Sequence, residues 1–335
     1  MKEKISIIGA GSWGTTLAVI LSQKGVNVEL HSVFSDHNAA MQRSRENSSF
    51  LPKVKFPHLL KINPSLKDTL RNDIIVNAVP VKFVRRVLKK ISREKVSFRN
   101  KVFVSVSKGI EVKSLKRVSQ IIKEELGGRL NVAVLSGPNI AKEVLRGIPT
   151  AAVIACRDKK TAKNLQKLFS TPTFRVYWHK DIVGVELGGA LKNIIAIACG
   201  ISDGLGFGTN TKAALVTRGL VEITRLGLKL GAQPLTFWGI SGLGDLATTC
   251  FSPHSRNRFV GEQLGKGKAL KSVLRKMKMV AEGVETVKST YKLSKKLGID
   301  MPITNEVYSV LYKNKPPKRG VQDLMRRPLK PEKIS

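Results

Sequence analysis

The stretch "KISIIGAGSWGTTLAVIL", residues 4–21, sets a short strand-type run directly against three glycines, Gly9, Gly11 and Gly14, and then a run of helical length. Glycine punctuates regular structure, so this spacing commits the chain to a tight strand-to-helix turn. In such a turn the first glycine permits the bend, the second lets a pyrophosphate approach the backbone, and the third lets helix and strand pack closely. The helix N-terminus then faces the phosphates. The pattern therefore predicts a dinucleotide cradle, provided that a βαβ unit surrounds it. The basic "MKEK" ahead of an apolar run imitates a secretion signal, but the glycines break its helical middle and no small-x-small cleavage site follows.

The surrounding pattern meets that condition. Strand-type runs recur as "VNVELH", "DIIVNAVP", "KVFVSVSKG", "NVAVLSGP", "TAAVIAC" and "FRVYWH", most of them separated by helix-like segments. The stretch holding Pro52, Pro57 and Pro64 reads as a loop. Strands joined through helices require crossovers, which predicts an α/β, Rossmann-type, doubly wound parallel sheet. From Asp181 onward the strand signals fade, and "GVELGGALKNIIAIACGI", "TKAALVTRGLVEITRLGLKLG", "VGEQLGKGKALKSVLRKM", "VETVKSTYKLSKKLG" and "TNEVYSVLYKN" have helical spacing or length. The expected domains are a dinucleotide-binding domain at 1–180 and an all-α substrate and catalytic domain at 181–335.

Charge admits other partners. With 59 Lys+Arg against 24 Asp+Glu the net charge is +35, enough to attract nucleic acid, anionic membrane or acidic metabolites. The densest run, 81–101, places Val84, Val87, Leu88 and Ile91 at helical spacing, so its bases fall mostly on a solvated face. No stacking aromatics interleave with them and no nucleic-acid-reading motif or repeat occurs, so no specific nucleic-acid partner is expected. Cys156, Cys199 and Cys250 lack disulfide or metal spacing, which predicts no metal and a reducing, cytoplasmic setting. Apolar runs such as "IIAIACGI" fall short of a bilayer span, so no transmembrane segment is expected.

Lys192 and Glu186 are the two charges in an otherwise apolar helix from Gly184 to Ser202. Burial would lower the lysine's pKa toward a range useful for proton transfer; a structural pairing with a carboxylate, or a reach to the surface, is the equal alternative. Gly242 and Gly244 flank Asp245, and Ser255, Arg256, Asn257 and Arg258 follow. These four suit a phosphate, although taken alone they fit a helix cap better. Glu29 lies at roughly the distance of a ribose-reading acid, but alternation puts it inside the strand, leaving His31, Ser32 and Val33 at the tip.

The motifs "IGAGSWGT", "VSKGIE" ending at Glu111, "LSGPN" at Leu135 to Asn139, "GVELGGALKNIIAIACGI" at Gly184 to Ile201, "GLGDL", "SRNR", "AEGVET" at Ala281 to Thr286 and "LMRRPLKPE" run almost end to end. In them the chain resembles the bacterial NAD(P)-dependent glycerol-3-phosphate dehydrogenases. The resemblance implies reversible reduction of dihydroxyacetone phosphate to sn-glycerol 3-phosphate with NAD(P)H, for glycerophospholipid synthesis, by a homodimer. It implies Lys192 as the catalytic proton donor, with Lys108, Gly137, Asn139, Asp245, Ser255, Arg256 and Asn257 toward the phosphorylated substrate. Toward the cofactor it implies Gly9, Gly11, Ser12, Trp13, Gly14, His31, Lys108, Ala141, Arg256, Val280 and Glu282. Trp13, which the glycine pattern does not need, is typical of this family's turn.

Two positions depart from the family. Asn139 and Ile140 stand where many members have Ser or Thr and then Phe or His. His31 and Val33 stand where many have Trp and Arg, the latter suited to a 2′-phosphate. A different Rossmann dehydrogenase, of the 3-hydroxy acid or 6-phosphogluconate type, would share the turn and the helical lysine but not "SGLGDL" and "SRNR".

Overall fold

The computed structural model describes residues 4–127, 130–277, 279–329 and 331–332. They form two compact units, one of residues up to 107 with 118–182, the other of 108–117 with 183 onward. The short segment 108–117 lies inside the span read as the dinucleotide-binding domain, yet it belongs to the helical unit.

In the first unit the strands are β1 (Lys4–Ile8), β2 (Asn27–His31), β3 (Glu46–Asn47), β4 (Leu51–Lys55), β5 (Leu60–Ile62), β6 (Ile74–Asn77), β7 (Val102–Ser105), β8 (Asn131–Ser136), β9 (Thr150–Cys156) and β10 (Phe174–His179). Its helices are α1 (Ser12–Gln23), α2 (Ser35–Ser44), α3 (Leu66–Thr69), α4 (Val81–Arg93), α5 (Val118–Leu126), α6 (Ala141–Leu145) and α7 (Lys159–Phe169). Eight strands make one sheet in the order β10-β9-β8-β7-β6-β1-β2-β5, so the chain winds outward in both directions from β1. β1 is flanked on both sides by parallel partners and carries Ile5, Ile7 and Ile8, all buried, as a strand covered on both faces should. α4 turns Val84, Val87, Leu88 and Ile91 inward, leaving its lysines and arginines mostly outward.

The sheet is not wholly parallel: β9 runs antiparallel to β8, while β10 again runs parallel to β9. The physical reason is the β8–β9 connection, whose only helix is the five-residue α6, too short a crossover to carry the chain back along the sheet. The proline-marked stretch after β2 is also more ordered than a loop. β3 and β4, the latter containing Pro52, pair as an antiparallel ribbon, and β5 joins the main sheet.

The second unit contains α8 (Ile182–Gly204), α9 (Thr209–Lys229), α10 (Asp245–Phe251), α11 (Arg256–Gly265), α12 (Leu270–Arg275), α13 (Glu282–Leu297), α14 (Pro302–Tyr312) and α15 (Pro317–Met325). A π-helical turn, Ile240–Gly244, leads into α10. The run read as one helix around "VGEQLGKGKALKSVLRKM" is two. α11 ends at Gly265, Gly267 takes a left-handed φ of 80°, and α12 starts at Leu270. α8 is the unit's axle, and α11 lies against it with almost no gap. A Cβ on Gly200 would come within 2.0 Å of the Arg258 carbonyl oxygen, and one on Gly261 within 2.0 Å of that of Ile197. Glycine at these positions lets two helix backbones touch, which fixes the start of α11 relative to the lysine on α8.

One expectation needs correction. Taken whole, α8 has 23 residues and is long and apolar enough to cross a membrane, whereas its apolar core had read as too short. Its most apolar 18-residue stretch is 94% buried inside the protein, so its hydrophobicity is that of a core helix rather than of a lipid-facing one.

Candidate active site

The first unit builds the glycine turn. Gly9 has φ of 113°, and a Cβ there would lie 2.7 Å from the Ala78 carbonyl carbon and oxygen; one on Gly14 would lie 2.0 Å from the Gly9 carbonyl oxygen. Both glycines are required by the chain's own packing. Gly11 is different. Its φ of −76° and ψ of 179° suit any residue, and a Cβ would meet nothing within 4 Å. Neither conformation nor packing explains a glycine there; open space for an approaching pyrophosphate does. α1 begins at this point with no side-chain cap and no acidic residue in its first turn, leaving a positive helix end suited to phosphate. The donor set and the space thus fit a dinucleotide.

Several groups hold the turn. The Gly9 N–H donates to the His31 carbonyl at 2.8 Å, and the Asn47 amide donates to the Ala10 carbonyl and to Thr15 Oγ1, both at 2.8 Å. Asn47, which reaches the turn from the ribbon, carries no motif that marks it for this role. Ser12 Oγ donates to the Phe50 carbonyl at 2.9 Å, and Trp13 lies edge-on to Phe174 at 6.2 Å between centroids. The His31 ring is buried, 2.9 Å from the Asn63 carbonyl, and burial holds its pKa below the ordinary value. Glu29 accepts from the Asn63 amide at 2.8 Å. At the strand tip Asn38 binds both the N–H and the carbonyl of Ser32, so the exposed side chains are Val33 and Phe34. Beyond β8, Gly137 has φ of 153°, and the Asn139 amide donates to the Ala151 carbonyl at 3.1 Å. Ala141 opens α6, which packs on α1.

The second unit brings Lys108, Lys192 and Asp245 together. Asp245 is 1% exposed at the start of α10; its Oδ2 takes Lys108 Nζ at 2.6 Å and its Oδ1 takes Lys192 Nζ. Lys192 Nζ also donates to Thr249 Oγ1 at 2.7 Å, and Thr249 donates to the Asp245 carbonyl at 2.7 Å. Thr249 was not foreseen, although Asp245 and Thr249 stand four apart on one helix face. Lys108 reaches this site because 108–117 folds back on itself through an Ile110–Arg117 bridge, with Ile110 in the helical core and Arg117 ion-paired to Glu186 of α8. Of the two readings for Lys192, both hold: it is paired, and burial lowers its pKa to about 7. The Asp245 charge opposes that shift, and repulsion from Lys108 adds to it.

The "SRNR" residues divide by role. Ser255 caps α11, its Oγ accepting from the Arg258 N–H at 3.2 Å. Asn257 is buried and its Oδ1 accepts from the Gly283 N–H at 3.0 Å, capping the first turn of α13. Arg258 pairs with Asp203 at 2.6 Å. Arg256 presents an exposed side chain within electrostatic reach of Glu282, at the start of α13, and Val280 is exposed just before it.

Because Lys108 depresses the pKa of Lys192, Lys108→Met should raise it. The pH at which reductive kcat halves should then move upward, as measured by a kcat–pH profile; an unmoved midpoint contradicts the coupling.

A dinucleotide turn on a doubly wound sheet, with a buried lysine of near-neutral pKa in a helical unit, defines a nicotinamide-dependent dehydrogenase. Models of the N-terminus and C-terminus of NAD-dependent glycerol-3-phosphate dehydrogenase match residues 4–162 and 181–322. Glycerol-3-phosphate dehydrogenase [NAD(P)+] of Geobacter sp. (strain M21) is 50% identical over the full length of both chains, and that of Prosthecochloris aestuarii is 49% identical over 98% of this chain and 99% of its own. The crystal structure of the Coxiella burnetii glycerol-3-phosphate dehydrogenase superposes with a TM-score of 0.93 at 38% identity, covering 97% of this chain and 99% of that one. The chain belongs to the NAD(P)-dependent glycerol-3-phosphate dehydrogenase family.

Proposed function

We infer that this chain reduces dihydroxyacetone phosphate reversibly to sn-glycerol 3-phosphate with NAD(P)H, a product used for glycerophospholipid synthesis. The observation that carries the reading is Lys192, buried, held by Asp245 and Thr249, with a pKa lowered to about 7. When bound at the glycine turn, NAD(P)H supplies the hydride to the carbonyl carbon. As charge develops on the carbonyl oxygen, the Lys192 ammonium gives it a proton and becomes the neutral amine, which solvent reprotonates. In reverse the neutral amine takes the hydroxyl proton. Asp245 orients Lys192, and Lys108 places a second cation beside it.

The cofactor is assigned to the span 1–180 apart from 108–117, and the substrate to 181–335 together with 108–117. Arg256 is the "SRNR" side chain suited to the substrate phosphate, because Ser255 and Asn257 are committed to helix caps. Gly137 and Asn139 shape the substrate side of the first unit, Asn139 through the backbone it pins. Gly9, Gly11, Ser12, Trp13, Gly14, His31 and Ala141 form the cofactor side of the first unit, and Val280 and Glu282 are the second unit's residues assigned to the cofactor by the family resemblance. Ser12 and His31 act chiefly by fixing the turn. The net charge of +35 draws a phosphorylated substrate in without specifying nucleic acid. A homodimer in the cytoplasm is the expected setting, checked by sedimentation and fractionation.

Turnover tests the function. NADH oxidation should require dihydroxyacetone phosphate and fail with unphosphorylated dihydroxyacetone at equal concentration. Equal rates with a 3-oxo acid would favour the 3-hydroxy acid alternative. The strand tip adds a second expectation: with Val33 exposed where an arginine would clamp a 2′-phosphate, NADH is used at least as well as NADPH. A kcat/KM about tenfold or more in favour of NADPH overturns it.

A further inference from the structure

α8 continues about three turns past Lys192, and near its end Ser202 is 1% exposed with a hydroxyl that has no hydrogen-bond partner among the described residues. That hydroxyl lies about 15 Å along the helix axis from the lysine, outside the active-site cluster. It lines a cavity of about 500 Å³ formed by α8, α9, α14, α15 and the segment after α15. This is a size that takes a small organic ligand. Ile201, Leu215, Val221, Val307, Val310 and Leu324 make its walls apolar.

Of the guanidiniums in that lining, Arg218 has neither a carboxylate nor a carbonyl partner among the described residues. Arg218 of α9 is half-buried, and no carboxylate among the described residues lies within ion-pair distance of it. The neighbouring charges are engaged elsewhere. Glu222 accepts from the Ile303 N–H at 2.5 Å and from the Thr304 N–H and Oγ1 at 3.2 and 3.1 Å. Arg225 donates to the Asp300 carbonyl, Arg327 pairs with the Asp300 carboxylate at 2.7 Å, and Glu306 pairs with Lys315. Glu332, at the outer edge, is solvent-exposed.

An apolar chamber with an unpartnered guanidinium and an unpartnered hydroxyl asks for a ligand that has both an apolar body and an acceptor. A neutral hydrocarbon would leave Arg218 half-desolvated and the Ser202 hydroxyl unpaired. A compact polar anion would leave the walls uncovered.

We propose that this cavity binds a single-chain amphiphile with one anionic head group, its chain along the apolar walls, its head at Arg218 and an oxygen at Ser202. The test is calorimetric titration of the full chain with sodium decanoate, below the concentration at which it forms micelles, and with 1-decanol as the uncharged analogue. Decanoate should bind saturably at one site, at least about tenfold more tightly than decanol. Arg218→Met should weaken decanoate by about tenfold or more and leave decanol unchanged. Because the wild-type comparison needs no variant, a folding defect in Arg218→Met does not decide the matter. Non-saturable decanoate binding, or decanol binding as tightly, overturns the proposal.

Discussion

Lys192→Met is expected to lower kcat by about a hundred- to ten-thousand-fold while NADH still binds, because the substitution keeps the side-chain length and deletes only the transferable proton. The α8 environment makes this test clean. The stem of Lys192 runs among buried apolar residues of α8 such as Leu191 and Ile195, which suit methionine, and only its end meets the polar Asp245 and Thr249. Asp245 keeps Lys108 as a partner, so the variant does not strand a buried carboxylate. Loss of kcat with unchanged cofactor affinity is the signature of an interaction made in the transition state. A variant that folds, binds NADH and keeps kcat within a few-fold of the parent would assign Lys192 a structural role and pass the proton to Lys108.

Gly11→Val should weaken NADH binding by at least about tenfold and leave thermal stability nearly unchanged. The prediction follows from open space: a side chain at Gly11 meets no atom of the protein within 4 Å, and its backbone angles suit valine. The same change at Gly14 forces a Cβ to 2.0 Å from the Gly9 carbonyl oxygen, and there the fold itself should fail. The pair separates a glycine kept for a ligand from one kept for packing. Fluorescence titration of NADH with a melting curve on each variant reads both effects; equal loss of stability at Gly11 would mean that its space is structural.

The sequence made the strands of the sheet legible where apolar runs alternate with helical spacing, and the buried helix legible through its lone lysine. It hid what depends on the shape of a connection. The antiparallel step at β9 arises from the brevity of α6, which periodicity cannot measure, and the ribbon at β3 and β4 is built from polar and proline-containing residues that read as loop. At the site, Asp245 and Lys108 are 137 residues apart, and only the folded 108–117 segment brings them onto one carboxylate. For the "SRNR" cluster the residues taken alone favour a helix cap, and Ser255 does cap α11. Three of its members look alike as phosphate donors, but Ser255 and Asn257 serve helix ends and Arg258 serves Asp203. Close helix contact through Gly200 and Gly261 fixes that outcome, and a glycine in sequence does not announce which backbone it touches.

The pH dependence of kcat in the two directions tests the central claim most directly. Burial and Lys108 bring the Lys192 pKa down to about 7, so the ammonium needed to donate a proton is lost as pH rises through that value, while the amine needed to accept one is gained. For the wild-type chain, reductive kcat with dihydroxyacetone phosphate should be level below about pH 7 and fall above it. Oxidative kcat with sn-glycerol 3-phosphate should rise over the same interval. Profiles that are flat from pH 6 to 9 in both directions, under conditions where chemistry limits turnover, would contradict the assignment of Lys192 as the proton-transfer group.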